Sequence, residues 1–227
     1  MKVYLKRLAM VFLAFVMLFP AIFASSSINV QASTAKWKNA CKAYGAYLAK
    51  NKSRFKAGMG EFEKTNKESC KKADSFLIVD LDKNGIPELV VNHPYSYKSD
   101  HIYVYTYRAG KIVQIKDTNG EKGELAGINI SCQANGWYSV YKCKKNHLHV
   151  NWSGGMFGYE NSIYTVNKGK LKLYAKETED NIRDFKSYEI NGRRVSSKKY
   201  NALVKKCGNT ENGLKLNTKT NRKKYLR

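Results

Sequence analysis

Residues 80–88 read DLDKNGIPE, gathering three carboxylates and an asparagine around a glycine in a chain whose formal net charge is +23. Acids drawn together against such a background suit a hard cation, and calcium takes about six to eight oxygens that a tight turn delivers at alternate positions. Counting from Asp80, side-chain oxygens fall at the first (Asp80), third (Asp82), fifth (Asn84) and ninth (Glu88) places. Gly85, at the sixth, allows the sharp bend, and Ile86, at the seventh, offers its backbone carbonyl. An Asp/Asn-rich hairpin turn whose side chains cap their own backbone also fits these residue types. Carboxylates that converge without an ion repel one another, which favours the ion, and neighbouring Lys83 relieves that repulsion only in part. The expected cofactor is calcium, bound weakly, on the order of 10⁻⁴–10⁻³ M, because the surrounding positive charge opposes a divalent cation.

Other residues raise chemistry that the sequence does not sustain. His147 and His149 alternate along an expected strand, but two imidazoles without a spaced third ligand do not make a zinc site. In Asn151-Trp152-Ser153-Gly154-Gly155 the position two before the serine is Asn151, not the glycine of a nucleophile elbow. Cys207 falls on an apolar helical face, where a buried or bridged cysteine is the ordinary outcome. Catalytic carboxylates of a glycosidase come from separate segments across a cleft, whereas Asp80, Asp82 and Glu88 share one turn. Trp137, Trp152 and the tyrosines within 95–107 could line a sugar, peptide or single-stranded nucleic-acid platform, but strand tyrosines commonly serve cross-strand packing. No RNP-type motif supports nucleic acid.

The elements that must hold the acidic turn are legible in the hydrophobic periodicity. Residues 36–50 place Trp37, Cys41, Tyr44 and Leu48 on one stripe, an amphipathic helix. A polar stretch from about Gly58 to Ser75 follows, with a short second helix around Glu61. From Phe76 the period becomes two. Strands are expected at 76–79, 89–91, 101–107, 111–115, 127–132, 137–143, 147–152, 162–166 and 171–174, separated by turns such as Ala109-Gly110, Asn135-Gly136 and Lys168-Gly169. Ser196 and Ser197 can cap a closing helix with Tyr200, Leu203, Val204 and Cys207 on one face. The fold class expected is α+β, an N-terminal amphipathic helix on one antiparallel, meander-like sheet with a short C-terminal helix.

The acidic turn matches the first half of an EF-hand loop, yet Val91 stands where that loop has its bidentate glutamate, Pro87 intervenes, and the flanks read as strands. It resembles instead the D-x-D-x-[DN]-G-x-x-[DE] calcium loop between strands of integrin-type FG-GAP repeats, over Phe76 to Val91, without a second copy. Together with the helix bearing Tyr44, Tyr47 and Leu48, the run F-L-I-V-D-L-D-x-N-G-I-P-E-L resembles a class of small secreted proteins and lipoproteins of Gram-positive bacteria. Such chains close with N-G-x-x-V-S-x-x-x-Y, here Asn191-Gly192, Val195-Ser196 and Tyr200. The resemblance implies an exported calcium-loop protein and no particular activity. This chain departs from the class in its basic load, in Asn84, and in lacking a lipidated cysteine: Cys41 follows Lys38-Asn39-Ala40.

Lys2, Lys6 and Arg7 precede an apolar run from Leu8 to Ala24, and Val30-Gln31-Ala32 offers a cleavage site, so residues 1–32 read as a signal peptide. Its removal takes away three cations and no acid, lowering the charge from +23 to +20. The expected product is extracellular, without a membrane span, comprising one domain over 33–207 and a basic tail over 208–227. Between Arg193 and Arg227 stand twelve lysines or arginines and one acid, Glu211. Within that region Arg193, Arg194, Lys198, Lys199, Lys205, Lys206, Arg222, Lys223 and Lys224 are candidates for binding an anionic cell-wall polymer or similar surface. Five cysteines (Cys41, Cys70, Cys132, Cys143, Cys207) permit disulfides outside the cell with connectivity open, and no Cys-x-x-Cys pair exists. The function expected is a non-enzymatic, calcium-stabilised adhesion or binding module. The alternative is a secreted hydrolase of wall or host polymers.

Overall fold

The computed structural model describes residues 34–51, 74–96, 99–117, 128–131, 137–144, 146–208 and 213–227. The expected signal peptide, the short helix near Glu61 and the Asn135-Gly136 turn lie outside them. Helix α1 spans 34–50, and its stripe buries Ala40, Cys41, Tyr44 and Leu48 while Trp37 is half-buried. The period-two segments become strands, but in two antiparallel sheets where one meander was expected.

The first sheet contains β1 (Ser75–Val79), β2 (Glu88–Ser96), β3 (Ser99–Arg108), β4 (Lys111–Gln114) and β5 (Ile128–Ser131), with β5 pairing with β3. The second runs in plain succession through β6 (Trp137–Lys142), β7 (Leu148–Ser153), β8 (Gly158–Asn167), β9 (Lys170–Asp180), β10 (Phe185–Ile190) and β11 (Arg193–Arg194). Helix α2 (Ser197–Cys207) follows, its Ser196 cap accepting from the Lys199 N–H. The chain then returns to the first sheet as β12 (Lys215–Leu216), paired with β1, and ends in α3 (Lys219–Tyr225).

Alternation along each strand sorts side chains into three cores. Leu77, Val79, Val90, Ile102 and Val104 of the first sheet meet Val140, Leu148, Val150, Val166 and Leu171 of the second. On the other face of the first sheet, Phe76, Leu89, Val91, Tyr103 and Tyr105 pack beneath α1. On the other face of the second, Ile163 and Ala175 lie beneath Tyr200 and Cys207 of α2. The layers are therefore helix, sheet, sheet, helix. Burying one such Val, Leu or Phe side chain contributes roughly 1.5–3 kcal/mol, and the inter-sheet core draws such side chains from both sheets.

Two features of the fold are not carried by the apolar pattern. Strand β10 and the outer half of β9 were not foreseen, because their pairing rests on polar partners such as Lys186 opposite Glu179 and Ser187 opposite Thr178 rather than on apolar alternation. The expected basic tail is largely folded: β12 extends the first sheet, and Leu226 is buried with Tyr44 and Leu48 under α1. Asn217 fixes the return, its N–H donating to the Asp74 carbonyl (2.7 Å) and its side chain to the Leu48 carbonyl (3.3 Å).

Candidate metal centre

The acidic turn joins β1 to β2 and packs at the end of the inter-sheet core. Val79 pairs with Glu88, which fixes the two ends of the loop as strand partners. Between them Lys83 and Gly85 take positive φ angles of 62° and 81°. In that region glycine meets no Cβ penalty, so Gly85 suits the second reversal. Asp80 Oδ1 accepts from the Asn84 N–H and Asp80 Oδ2 from the Gly85 N–H, each at 3.1 Å. Asp82 accepts from both the backbone and the side-chain amide of Asn84, at 3.1 and 2.8 Å. Asn84 Oδ1 in turn accepts from the Ile86 N–H (2.7 Å). These contacts wind the loop inward around its own acids.

One oxygen each of Asp80, Asp82 and Glu88 lies within 4.8 Å of the others, and among the described residues this is the only group of three or more potential metal ligands. Asp80 and Asp82 are partly exposed, whereas Glu88 is fully buried. Its Oε2 accepts from the Leu81 N–H at 2.6 Å and its Oε1 from the Thr106 hydroxyl at 3.3 Å. Burial pushes the Glu88 carboxyl up to about 8; the nearby Asp82 and Asp80 charges push the same way, against the pull of the Leu81 N–H and Thr106 bonds. Burial likewise raises Asp82, with Asp80 adding to it. Among the described residues no lysine or arginine forms an ion pair with any of the three, and Lys83 is exposed. A buried carboxylate with two others beside it and no compensating cation is costly to ionise. The cluster can hold a metal ion, and its all-oxygen donor set favours a hard one.

Three residues that support this turn carried no obvious signal. Tyr44 reaches from α1 to donate its hydroxyl to the Pro87 carbonyl (2.8 Å), although its place on the helical stripe was legible. Thr106 occupies an inward position of β3, and Thr165 of β8 donates to the Leu81 carbonyl (3.3 Å), tying the loop to the second sheet. Ile86, read as a carbonyl donor with an inward side chain, is half-buried against the core beneath α1.

The nine basic candidates do not form one group. Arg193 and Arg194 lie on β11 and Lys198, Lys199, Lys205 and Lys206 on α2, all exposed on the second sheet's side. Lys223 and Lys224 are exposed on α3, the helix that delivers Leu226 to the core under α1. Arg222 is half-buried and donates to Asn217 Oδ1 (2.6 Å), a structural contact.

The discounted chemistry finds no support in geometry. His149 is buried edge-on to Tyr141 with its pKa lowered by burial to about 4, while His147 stacks on Tyr174. Ser153 Oγ accepts from the Gly155 N–H (3.1 Å) as a turn cap. Tyr103 and Tyr105 are buried beneath α1 and Trp152 packs against the inter-sheet core, while the side chains of Trp137, Tyr95 and Tyr97 lie outside the described residues. Among the described residues no helix is long and apolar enough to cross a membrane. No family model, curated protein or solved structure matches the chain.

Proposed function

We propose that the protein is a non-enzymatic extracellular module, stabilised by calcium in the Asp80–Glu88 turn and held at an anionic surface such as a cell-wall polymer. The observation that carries the ion is the convergence of buried Glu88 with Asp80 and Asp82, which pair with no positive side chain among the described residues. Oxygens that share one calcium at about 2.3–2.6 Å stand no more than about 5 Å apart, which accommodates this spacing. Asp80, Asp82, Asn84 and Glu88 supply side-chain oxygens, and Ile86 its carbonyl. The ion offsets carboxylate repulsion and pins β1 to β2, so its role is to hold the fold.

The retaining surface rests on the exposed cations of β11 and α2 and on the chain's overall charge. Thermal melting in EDTA and then in excess calcium tests the ion. A ligand at a hundred times its dissociation constant stabilises by about 2.7 kcal/mol, or roughly 5–10 °C for a chain of this size. Melting that is indifferent to about 100 mM calcium at matched ionic strength, about a hundred times the weakest constant expected, rules the ion out. Retention on immobilised polyphosphate should collapse as salt rises through physiological strength, where charges further apart than about 8 Å are screened. Retention that survives molar salt removes the electrostatic surface from the proposal.

A further inference from the structure

Two of the five cysteines meet in the fold. Cys143 lies just beyond β6, its N–H bonded to the His147 carbonyl at 2.9 Å, and Cys207 is the last residue of α2. Their backbones are tied directly, the Lys144 N–H donating to the Cys207 carbonyl at 2.8 Å. Both are buried free thiols in this structure, and the Cys207 side chain adds to the upward push that burial exerts on Cys143. Both residues are 1% exposed within the cluster formed by Ile163, Ala175 and Tyr200. Cys41 sits in a different core, beneath α1 on the far side of the first sheet, and Cys70 and Cys132 lie outside the described residues.

We propose that Cys143 and Cys207 are joined by an intramolecular disulfide that fastens the end of α2 to the β6–β7 hairpin. The pairing follows from adjacency, which sequence spacing could not supply. It does not depend on the metal ion; it needs only an environment containing a disulfide oxidant. One thiol, as thiolate, attacks a sulfur of that oxidant, forming a mixed disulfide and expelling one oxidant thiolate. The second cysteine, also as thiolate, then attacks the protein sulfur and expels the other. One S–S bond breaks and one forms; two electrons pass to the oxidant, and the two protons leave to its thiols.

Burial pushes the Cys143 thiol up to about 12. Thiolate is the attacking species, so the bridge closes during folding, before hairpin and helix enclose it. Once closed, the same burial shields it from external reductants. The cross-link spans positions 143 to 207 and so encloses β7 through β11, most of the second sheet. Long loops lose the most unfolded-state freedom when closed.

The test uses the full chain, reduced and unfolded in denaturant, then refolded in mixed oxidised and reduced glutathione with calcium held constant. Remaining thiols are blocked with iodoacetamide, and proteolytic fragments are mapped by mass without reduction. The expected result is a fragment pair joined through Cys143 and Cys207 that separates on reduction. Reduction should also lower the melting midpoint by on the order of 10 °C, and the Cys143→Ala/Cys207→Ala variant should melt with the reduced protein and ignore reductant. Recovery of both residues alkylated from folded protein, or of either linked to Cys41, Cys70 or Cys132, overturns the proposal. If the double variant fails to fold, the wild-type map still decides. None of these outcomes bears on the calcium melts, so the two ideas fail separately.

Discussion

Replacing Glu88 with glutamine removes one charge from a fully enclosed position while keeping one oxygen, which can accept from the Leu81 N–H; its amide NH2 then faces Thr106, whose hydroxyl can turn to accept. In the metal-free protein Glu88 titrates near 8, against a reference value of 4.5. A carboxyl raised on folding retains a proton that the unfolded chain has already released. Its contribution to stability is therefore full below about pH 4.5 and declines as pH rises toward 8. At pH 7 the loss spans about 2.5 units, or about 3 kcal/mol at 1.36 kcal/mol per unit. For a domain of this size that is roughly 6–12 °C in melting temperature. Asp82, raised chiefly by burial, contributes in the same direction. Melts followed by circular dichroism from about pH 5 to 8, in EDTA and in calcium, separate the terms. The wild-type protein in EDTA should weaken across this range. Glu88→Gln should weaken much less, and near neutrality it should be the more stable of the two metal-free proteins. Calcium should flatten the wild-type profile by keeping Glu88 ionised, and should shift the glutamine variant little. Parallel profiles for the two proteins in EDTA would refute the electrostatic reasoning, and an undiminished calcium shift in Glu88→Gln would remove Glu88 from the ion's shell.

Tyr44→Phe deletes the hydroxyl that satisfies the buried Pro87 carbonyl and should cost about 1–3 kcal/mol, read as a lower urea midpoint with an unchanged slope. Gly158→Ala should be the more damaging of the two. Gly158 has φ 126°, and an added Cβ would stand 1.9 Å from the Glu179 carbonyl oxygen, so β8 and β9 must part there. The backbone strain alone is about 1–3 kcal/mol, and a urea midpoint equal to wild type would show that the strands accommodate it.

Much of the layer that holds the acidic turn was readable because apolar spacing dictates it. The α1 stripe through Cys41, Tyr44 and Leu48 and the runs on either side of the turn lie where the period places them. The convergence of Asp80, Asp82 and Glu88 follows from their spacing around Gly85. What the spacing could not convey is depth. Glu88 is buried because strand pairing carries it between the sheets, and that depends on residues farther along the chain, Thr106 of β3 among them. The division into two sheets was illegible because each strand pattern is the same in either arrangement. Strand β12 contains two residues and Leu226 stands alone among cations, so neither offers a periodicity to read. The meeting of Cys143 with Cys207 is likewise a product of tertiary packing.

The path of the chain orders its own assembly. Strands β1 to β5 form the first sheet and β6 to β11 the second, yet β12 crosses back to lie along β1, Ser75 opposite Leu216 and Phe76 opposite Lys215. That closing contact joins segments about 140 residues apart, and distant contacts form slowly because a long loop must first be closed. A chain emerging from the ribosome would hold β1 with one flank bare until residues 215 and 216 had appeared. The zipper therefore closes last, and it makes the early and late halves of the polypeptide a single cooperative unit.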